Sequence, residues 1–173
     1  LDFRERIRLN GIMIPPGEVT RFVNRHMELI REIAPSFFEI TAMMAFDYFA
    51  LEKPDIAIIE TGMGGRLDST NVIQPELAVI TNISPDHARF LGPTTRHIAG
   101  EKAGIIKQEV PVVLGSMDPG LIPVFTEQAS ARNAPLHRAN HARELLLATL
   151  TPEEQMEVRF RVPSTGETEV WQT

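Results

Sequence analysis

Residues 77–114, LAVITNISPDHARFLGPTTRHIAGEKAGIIKQEVPVVL, contain an apolar run, a helical pattern and a second apolar run. The two apolar runs, at 77–80 and 110–114, show no alternation, which is typical of parallel strands covered on both faces. The stretch between them predicts a helix over 94–107, with a threonine at its start and a glycine near its end. This strand–helix–strand order predicts a parallel sheet with right-handed crossovers.

Similar patterns extend this unit in both directions. A third apolar run at 56–59 predicts another strand, and 121–133 predicts another helix. Upstream, the pattern predicts an amphipathic helix over 19–33 and a buried helix over 37–52. Near the end, apolar and polar residues alternate on both sides of PSTG at 163–166, as in an antiparallel hairpin. The predicted fold class is therefore α/β, a mostly parallel sheet flanked by helices, with a C-terminal antiparallel hairpin.

Composition limits the kinds of partner. With 173 residues, of which 43% are hydrophobic, the chain is long enough for one domain with a substantial core. Its net charge of -6 and scattered basic residues argue against a nucleic-acid surface or an anionic membrane patch. There is no cysteine, which excludes disulfides and thiolate metal sites, and no apolar run long enough to span a membrane. We therefore expect a cytoplasmic protein whose partners are small molecules.

Chemically reactive side chains follow two of the predicted strands. Glu60 follows the 56–59 run, and Asp86 and His87 follow the 77–80 run. Ligands of open parallel sheets bind beyond the carboxyl ends of the strands. A carboxylate and an imidazole at one rim can form either a cation site or an acid–base pair.

The connection between these strands, from Thr61 to Glu76, is longer than most strand–helix links. Its glycines allow close approach of a ligand, although in isolation a simple turn explains them better. The polar residues that follow, from Arg66 to Asn71, favour a binding loop. Neither the dinucleotide fingerprint G-x-G-x-x-G nor the phosphate loop G-x-x-x-x-G-K-[ST] is present, so any nucleotide must be held mainly by other residues.

Lys102 has two interpretations. On a helix it shares a face with Ile98 and Ile105, and burial there would favour loss of its proton and make it nucleophilic. Alternatively, it is a structural lysine near a helix C-terminus, stabilised by the helix dipole while its stem packs on apolar neighbours. Spacing alone favours the structural interpretation.

Three motifs occur together: FFEITAMMAF at 37–46, ETGMGGRLDSTNVI at 60–73 and VITNISPDHARFLGPTTRHIAGEKAGIIK at 79–107. In combination they resemble the central domain of folylpolyglutamate synthases, often bifunctional with dihydrofolate synthase in bacteria, within the Mur ligase superfamily. The G-x-G-G-R-L-D-[AS]-T-N segment separates these folate enzymes from the cell-wall Mur ligases, which share the T-N-I-x-x-D-H and downstream lysine elements. The resemblance covers residues 1–115 closely.

The resemblance implies an ATP-dependent ligase that joins L-glutamate to dihydropteroate or a reduced folate through an acyl phosphate. In such an enzyme Glu60 and His87 bind Mg²⁺, and Lys102 reacts with carbon dioxide to form a carbamate near the metal. These three residues are then the catalytic set. Mg²⁺ prefers oxygen ligands, so only the family pattern selects it over metals that suit His87 better.

The resemblance also implies a pteroate-binding set on two segments. Aromatic rings there would form walls for a planar pterin, although an apolar pair opening a buried helix is usually a core feature. The implied substrate-binding residues are Ser36, Phe37, Phe38, Glu39, Leu67, Asp68 and Ser69.

The family pattern places a phosphate loop before Leu1 and a further ATP- and glutamate-binding domain after Thr173. We therefore expect residues 1–173 to be part of a central ligase domain that is inactive alone and monomeric at full length. Within it we expect a helical substrate-side segment at 1–54, an α/β metal-site core at 55–144 and a variable hairpin at 145–173.

Three alternatives stay open at this point. The nearest in chemistry is a Mur-type ligase that adds an amino acid to a cell-wall precursor. The second is a non-catalytic metal-binding or interaction module with the same fold. A dinucleotide-dependent oxidoreductase is less compatible with the sequence, because the glycine spacing does not match.

Overall fold

The chain folds into two units. A computed structural model describes the residues in four stretches, 2–84, 92–139, 144–150 and 156–172. Residues Leu1–Gly62 and Asp68–Val72 form the first unit, and Met63–Leu67 and Ile73–Thr173 form the second. The glycine-rich segment is therefore divided between the units. The domain boundaries expected from the sequence stay a prediction.

Two long helices dominate the first unit, α1 (Pro16–Ile33) and α2 (Phe37–Glu52). Both predicted helices are confirmed. Each ends at a residue in the left-handed conformation, Ala34 with φ 50° and Lys53 with φ 51°, and a proline follows one residue later. A proline disfavours the helical conformation of the residue before it, which explains why both helices end here.

The core of the first unit lies between these helices and a short antiparallel hairpin, β1 (Arg8–Leu9) and β2 (Ile12–Met13). Its buried side chains come from the hairpin flanks and both helices: Ile7, Ile14, Phe22, Met44 and Tyr48. The expectation that 37–52 is a buried helix is wrong for part of α2. Phe37 is 61% exposed, and Met43 and Leu51 are also exposed. The described residues therefore cover only part of the apolar surface of α2.

The predicted strand at 56–59 is not formed. No described segment is hydrogen-bonded to it in a ladder, and Ile56 and Ile58 are 80% and 92% exposed. A strand needs a neighbour to accept and donate its backbone hydrogen bonds. The apolar composition of this run does not supply that neighbour.

The second unit contains a three-stranded parallel sheet in the order β3 (Ala78–Ile80), β4 (Val112–Leu114), β5 (Leu136–Arg138). Helix α3 (Thr95–Ala103) connects β3 to β4, and α4 (Ile122–Ala131) connects β4 to β5. The parallel α/β arrangement predicted from the sequence is therefore confirmed. The strand β5 was not predicted.

Both connecting helices pack on one face of this sheet. Ala78 and Ile80 of β3 are buried in the same core as Ala99 of α3 and Phe125 of α4. Crossovers of one hand place their helices on the same face when strands are added in sequence order. Val79 points to the opposite face and is 51% exposed, so the expected coverage of both faces is not observed among the described residues.

A separate antiparallel sheet follows, formed by β6 (Glu144–Leu150), β7 (Met156–Arg161) and β8 (Thr168–Gln172). The β7–β8 pair confirms the predicted C-terminal hairpin, and its turn uses Gly166 at φ 74°. The pairing of β6 with β7 was not predicted. Within the four described stretches, no helix combines the length and apolarity that a bilayer crossing requires.

Candidate functional site

Asp68 organises the end of the glycine-rich segment in the first unit. Its Oδ2 accepts a hydrogen bond from the Gly62 N–H at 2.9 Å. Its Oδ1 accepts from the Thr70 N–H at 2.9 Å and from the Thr70 hydroxyl. Both carboxylate oxygens therefore hold the local backbone in place. Whether Asp68 also binds a substrate, as the family resemblance implies, stays a prediction.

Two phenylalanines from the predicted substrate set have different environments. The ring of Phe38 lies so close to Gly62 that a Cβ on this glycine would be 2.5 Å from the ring. Phe37 is largely exposed and makes an edge-to-face contact with Phe3, with ring centroids 5.9 Å apart. Sequence reasoning missed Phe3 and the close approach of the Phe38 ring to Gly62, because both depend on tertiary packing.

Ser36 and Glu39 form a reciprocal cap at the start of α2. The Ser36 N–H donates to Glu39 Oε2 at 2.6 Å, and the Glu39 N–H donates to Ser36 Oγ at 3.2 Å. Hydrogen bonds from the Ser36 side chain and then from its backbone lower the pKa of the Glu39 carboxyl below its usual value. A spacing of S-x-x-E before an apolar helix is the sequence signal of this cap.

The other two residues of the predicted substrate set differ in position. Leu67 is an exposed residue of the second unit. Ser69 opens a short 3₁₀ helix, Ser69–Val72, in the first unit. Their substrate-binding roles stay predictions.

Lys102 lies in the last turn of α3 and is half-buried, while Ile98 on the same helix is fully buried. The helix begins with a Thr94 cap, as predicted, but it ends at Ala103 rather than at 107. Within the part of the chain that the structure describes, the Lys102 amine makes no hydrogen bond or ion pair. Both sequence interpretations of this lysine are compatible with that position.

The second unit places Gly65 and Arg66 against the end of α3. The Arg66 N–H donates to the Glu101 carbonyl at 2.8 Å. Its guanidinium donates through Nη2 and Nε to Glu101 Oε1, at 3.0 and 3.2 Å. Arg66 also packs on Gly104, where a side chain would collide with it, and this contact coincides with the early end of the helix. We call Gly65, Arg66, Glu101 and Gly104 the α3 clasp.

Three residues are predicted to bind the metal, and the structure describes two of them. The Glu60 carboxylate is exposed and makes no hydrogen bond or ion pair with any described residue. His87, like Asp86, lies outside the described residues. The described residues contain no group of three or more His, Asp or Glu side chains suited to a metal. The exposed Glu60 carboxylate is an oxygen donor of the kind that Mg²⁺ prefers, and a carbamate on Lys102 would be a second one. The metal site stays a prediction.

The parallel sheet, the glycine-rich segment and the lysine-bearing helix agree with one family. The sequence pattern of the Mur ligase middle domain matches residues 27–169. The chain belongs to the Mur ligase family. This match confirms the superfamily resemblance drawn from the motifs.

Among the relatives of this Mur ligase domain are several folate enzymes. A dihydrofolate synthase/folylpolyglutamate synthase of Bacillus subtilis is 44% identical over 149 residues, which is 82% of this chain and 35% of that protein. A folylpolyglutamate synthase structure with AMPPCP and folate has a TM-score of 0.84 and 30% identity, covering 94% of this chain and 41% of that chain. A Mycobacterium tuberculosis folylpolyglutamate synthase complexed with ADP and AMPPCP has a TM-score of 0.79 and 32% identity, covering 91% and 38%.

These similarities confirm the resemblance to the folate branch of the family and the predicted fold class. The Mur ligase domain described here spans about a third of the length of its Bacillus subtilis relative, at 35%. The activity of a longer protein, its substrates and its partners therefore belong to the proposal that follows.

Proposed function

We propose that the protein containing this chain is an ATP-dependent ligase that adds L-glutamate to reduced folates and to dihydropteroate. The observation that carries the proposal is the similarity, over 94% of this chain, to a folylpolyglutamate synthase structure with AMPPCP and folate. The segment GMGGRLDSTN supports the folate substrate over a cell-wall precursor. We further propose that the protein acts in the cytoplasm as a monomer.

The substrate pteroate is proposed to bind beside the start of α2. Phe37 offers an exposed aromatic face, and its contact with Phe3 limits the ring to few orientations. Flat aromatic rings favour stacking with a planar pterin. Phe38, fixed against Gly62, would form a second wall, and the capped start formed by Ser36 and Glu39 would keep both rings in place.

Glu60, His87 and a carbamate on Lys102 are proposed to hold Mg²⁺. The bound ion would neutralise negative charge on phosphoryl and acyl-phosphate oxygens. The neutral Lys102 amine would form a nitrogen–carbon bond with carbon dioxide and release one proton, which gives an anionic oxygen donor. The absence of an ion pair on Lys102 in the described residues supports this step, because no ion pair has to be broken first.

The experiment is a ligase assay of the complete translation product that contains these residues. We expect phosphate release that requires ATP, Mg²⁺, L-glutamate and a pteroate substrate, together with a product that is heavier by one glutamyl residue. Glu60→Gln and Lys102→Ala should abolish turnover, and residues 1–173 alone should be inactive. Turnover with a nucleotide-linked muramyl precursor instead would contradict the folate assignment. Metal binding without any turnover would favour the non-catalytic module.

A further inference from the structure

Two residues of the α3 clasp, Glu101 and Gly104, lie on either side of Lys102 in the sequence, and the other two, Gly65 and Arg66, pack against them. The Arg66 N–H binds the Glu101 carbonyl one residue before the lysine. The Arg66 side chain packs on Gly104 two residues after the lysine. The last turn of α3 is therefore held on both sides of Lys102 by residues of the glycine-rich segment.

The two glycines make this approach possible. A Cβ on Gly65 would lie 2.8 Å from the backbone carbonyl oxygen of Glu101 and 3.1 Å from the Lys102 Cα. A Cβ on Gly104 would lie 2.3 Å from the Arg66 Cβ and 2.5 Å from its Cα. Both potential collisions involve backbone or near-backbone atoms, so neither can be relieved by turning a flexible side chain. The segment and the helix thus touch at backbone distance.

An ion pair between the Arg66 and Glu101 side chains accompanies this backbone contact. Two N–H groups of one guanidinium donate to the same carboxylate oxygen, Glu101 Oε1. The arginine side chain is half exposed, and exposed ion pairs contribute little to stability. The ion pair restricts the orientation of the two residues, because their backbones are already joined by a hydrogen bond.

We propose that the α3 clasp consists of positioning residues that hold Lys102 where its carbamate must meet the metal ion. This inference rests on the proposed ligase function. Misplacing a reacting group by about 1 Å can reduce a rate by on the order of a hundredfold. None of the clasp residues belongs to the proposed substrate-binding set. Loss of the clasp should therefore lower kcat and leave KM for the folate and for glutamate unchanged.

The test compares Arg66→Ala with Arg96→Ala in the complete translation product. Arg96 is an exposed arginine in the first turn of the same helix, away from Lys102, and serves as the matched control. We expect Arg66→Ala to reduce kcat by about ten- to a hundredfold at unchanged KM. Arg66→Lys should retain part of the rate. Combining Arg66→Glu with Glu101→Arg should restore kcat above either single change.

Amide hydrogen exchange separates this inference from the proposed function. Exchange at residues 102–106 should accelerate in Arg66→Ala and stay unchanged in Arg96→Ala. If the wild type has no ligase activity but exchange changes as expected, the clasp holds the last turn of α3, while the proposed function and the positioning role that rests on it both fail. If exchange is unchanged, or if kcat of Arg66→Ala stays within about twofold of an active wild type, the positioning inference fails.

Discussion

Two short apolar runs, IAII at 56–59 and LAVI at 77–80, have similar sequences and different structures. The second contains strand β3, which pairs in parallel with β4, and its Ile80 is only 4% exposed. The first has no ladder partner among the described residues, and Ile58 is 92% exposed. Composition alone therefore does not distinguish a strand from an extended segment. The partner does, because it supplies the hydrogen bonds and the apolar cover.

The largest expected effect tests this comparison directly. In the 173-residue chain, Ile80→Ala should lower the free energy of unfolding by about 2–5 kcal/mol, because it leaves a cavity in the core. Ile58→Ala should change it by at most about 0.5 kcal/mol, because the side chain is already in water. Urea denaturation measures both. Equal losses would show that the 56–59 run is covered in solution and would remove the contrast.

A smaller effect is expected from two glycines, one of which has a packing neighbour at its Cβ position and one of which has none. Gly62→Ala should destabilise the chain by about 1–3 kcal/mol, since its Cβ would overlap the Phe38 ring. Gly100→Ala is the matched control, because no atom lies within 4 Å of its Cβ position and alanine favours a helix. Thermal unfolding should show a lower midpoint for the first variant and a slightly higher one for the second. A neutral Gly62→Ala would show that the Phe38 ring can move aside at no cost and would contradict the expected loss.

The smallest effect concerns a local interaction that needs no distant partner. Ser36→Ala should cost about 1 kcal/mol, because the N-cap of α2 is lost. The pKa of Glu39 is lowered in the folded state, so its contribution is present above the unfolded pKa and is lost as pH falls. Ser36→Ala should flatten this dependence in unfolding curves recorded from neutral to acidic pH. An unchanged acid dependence would show that the cap does not act on Glu39.

Local signals predicted much of the fold. The predicted ends of α1 and α2, at 33 and 52, are the observed ones, and a proline lies two residues beyond each of them. The β7–β8 hairpin follows from alternation around a glycine-containing turn. These signals act over a few residues, so they can be read without knowing what packs nearby. Strands β5 and β6 were missed because their signals are short and their pairing is non-local.

The candidate site was also predicted only in part from the sequence. The motifs identified the family and named Glu60, His87 and Lys102, since a motif preserves residue type and spacing. They gave no indication that Asp68 closes its own loop or that the Phe38 ring packs closely on Gly62. They also did not reveal that Arg66 bonds Glu101, 35 residues further along the chain.

The sequence by itself determined the helices, the turn chemistry and the membership of the Mur ligase family. Only the tertiary structure decided which apolar runs become strands, which glycines have no room for a side chain and which carboxylates already accept hydrogen bonds. The physical reason is the sequence distance over which each kind of interaction acts. Caps, turns and helical periodicity involve neighbours within about four residues, whereas burial and ion pairing depend on groups that folding brings together from distant parts of the chain.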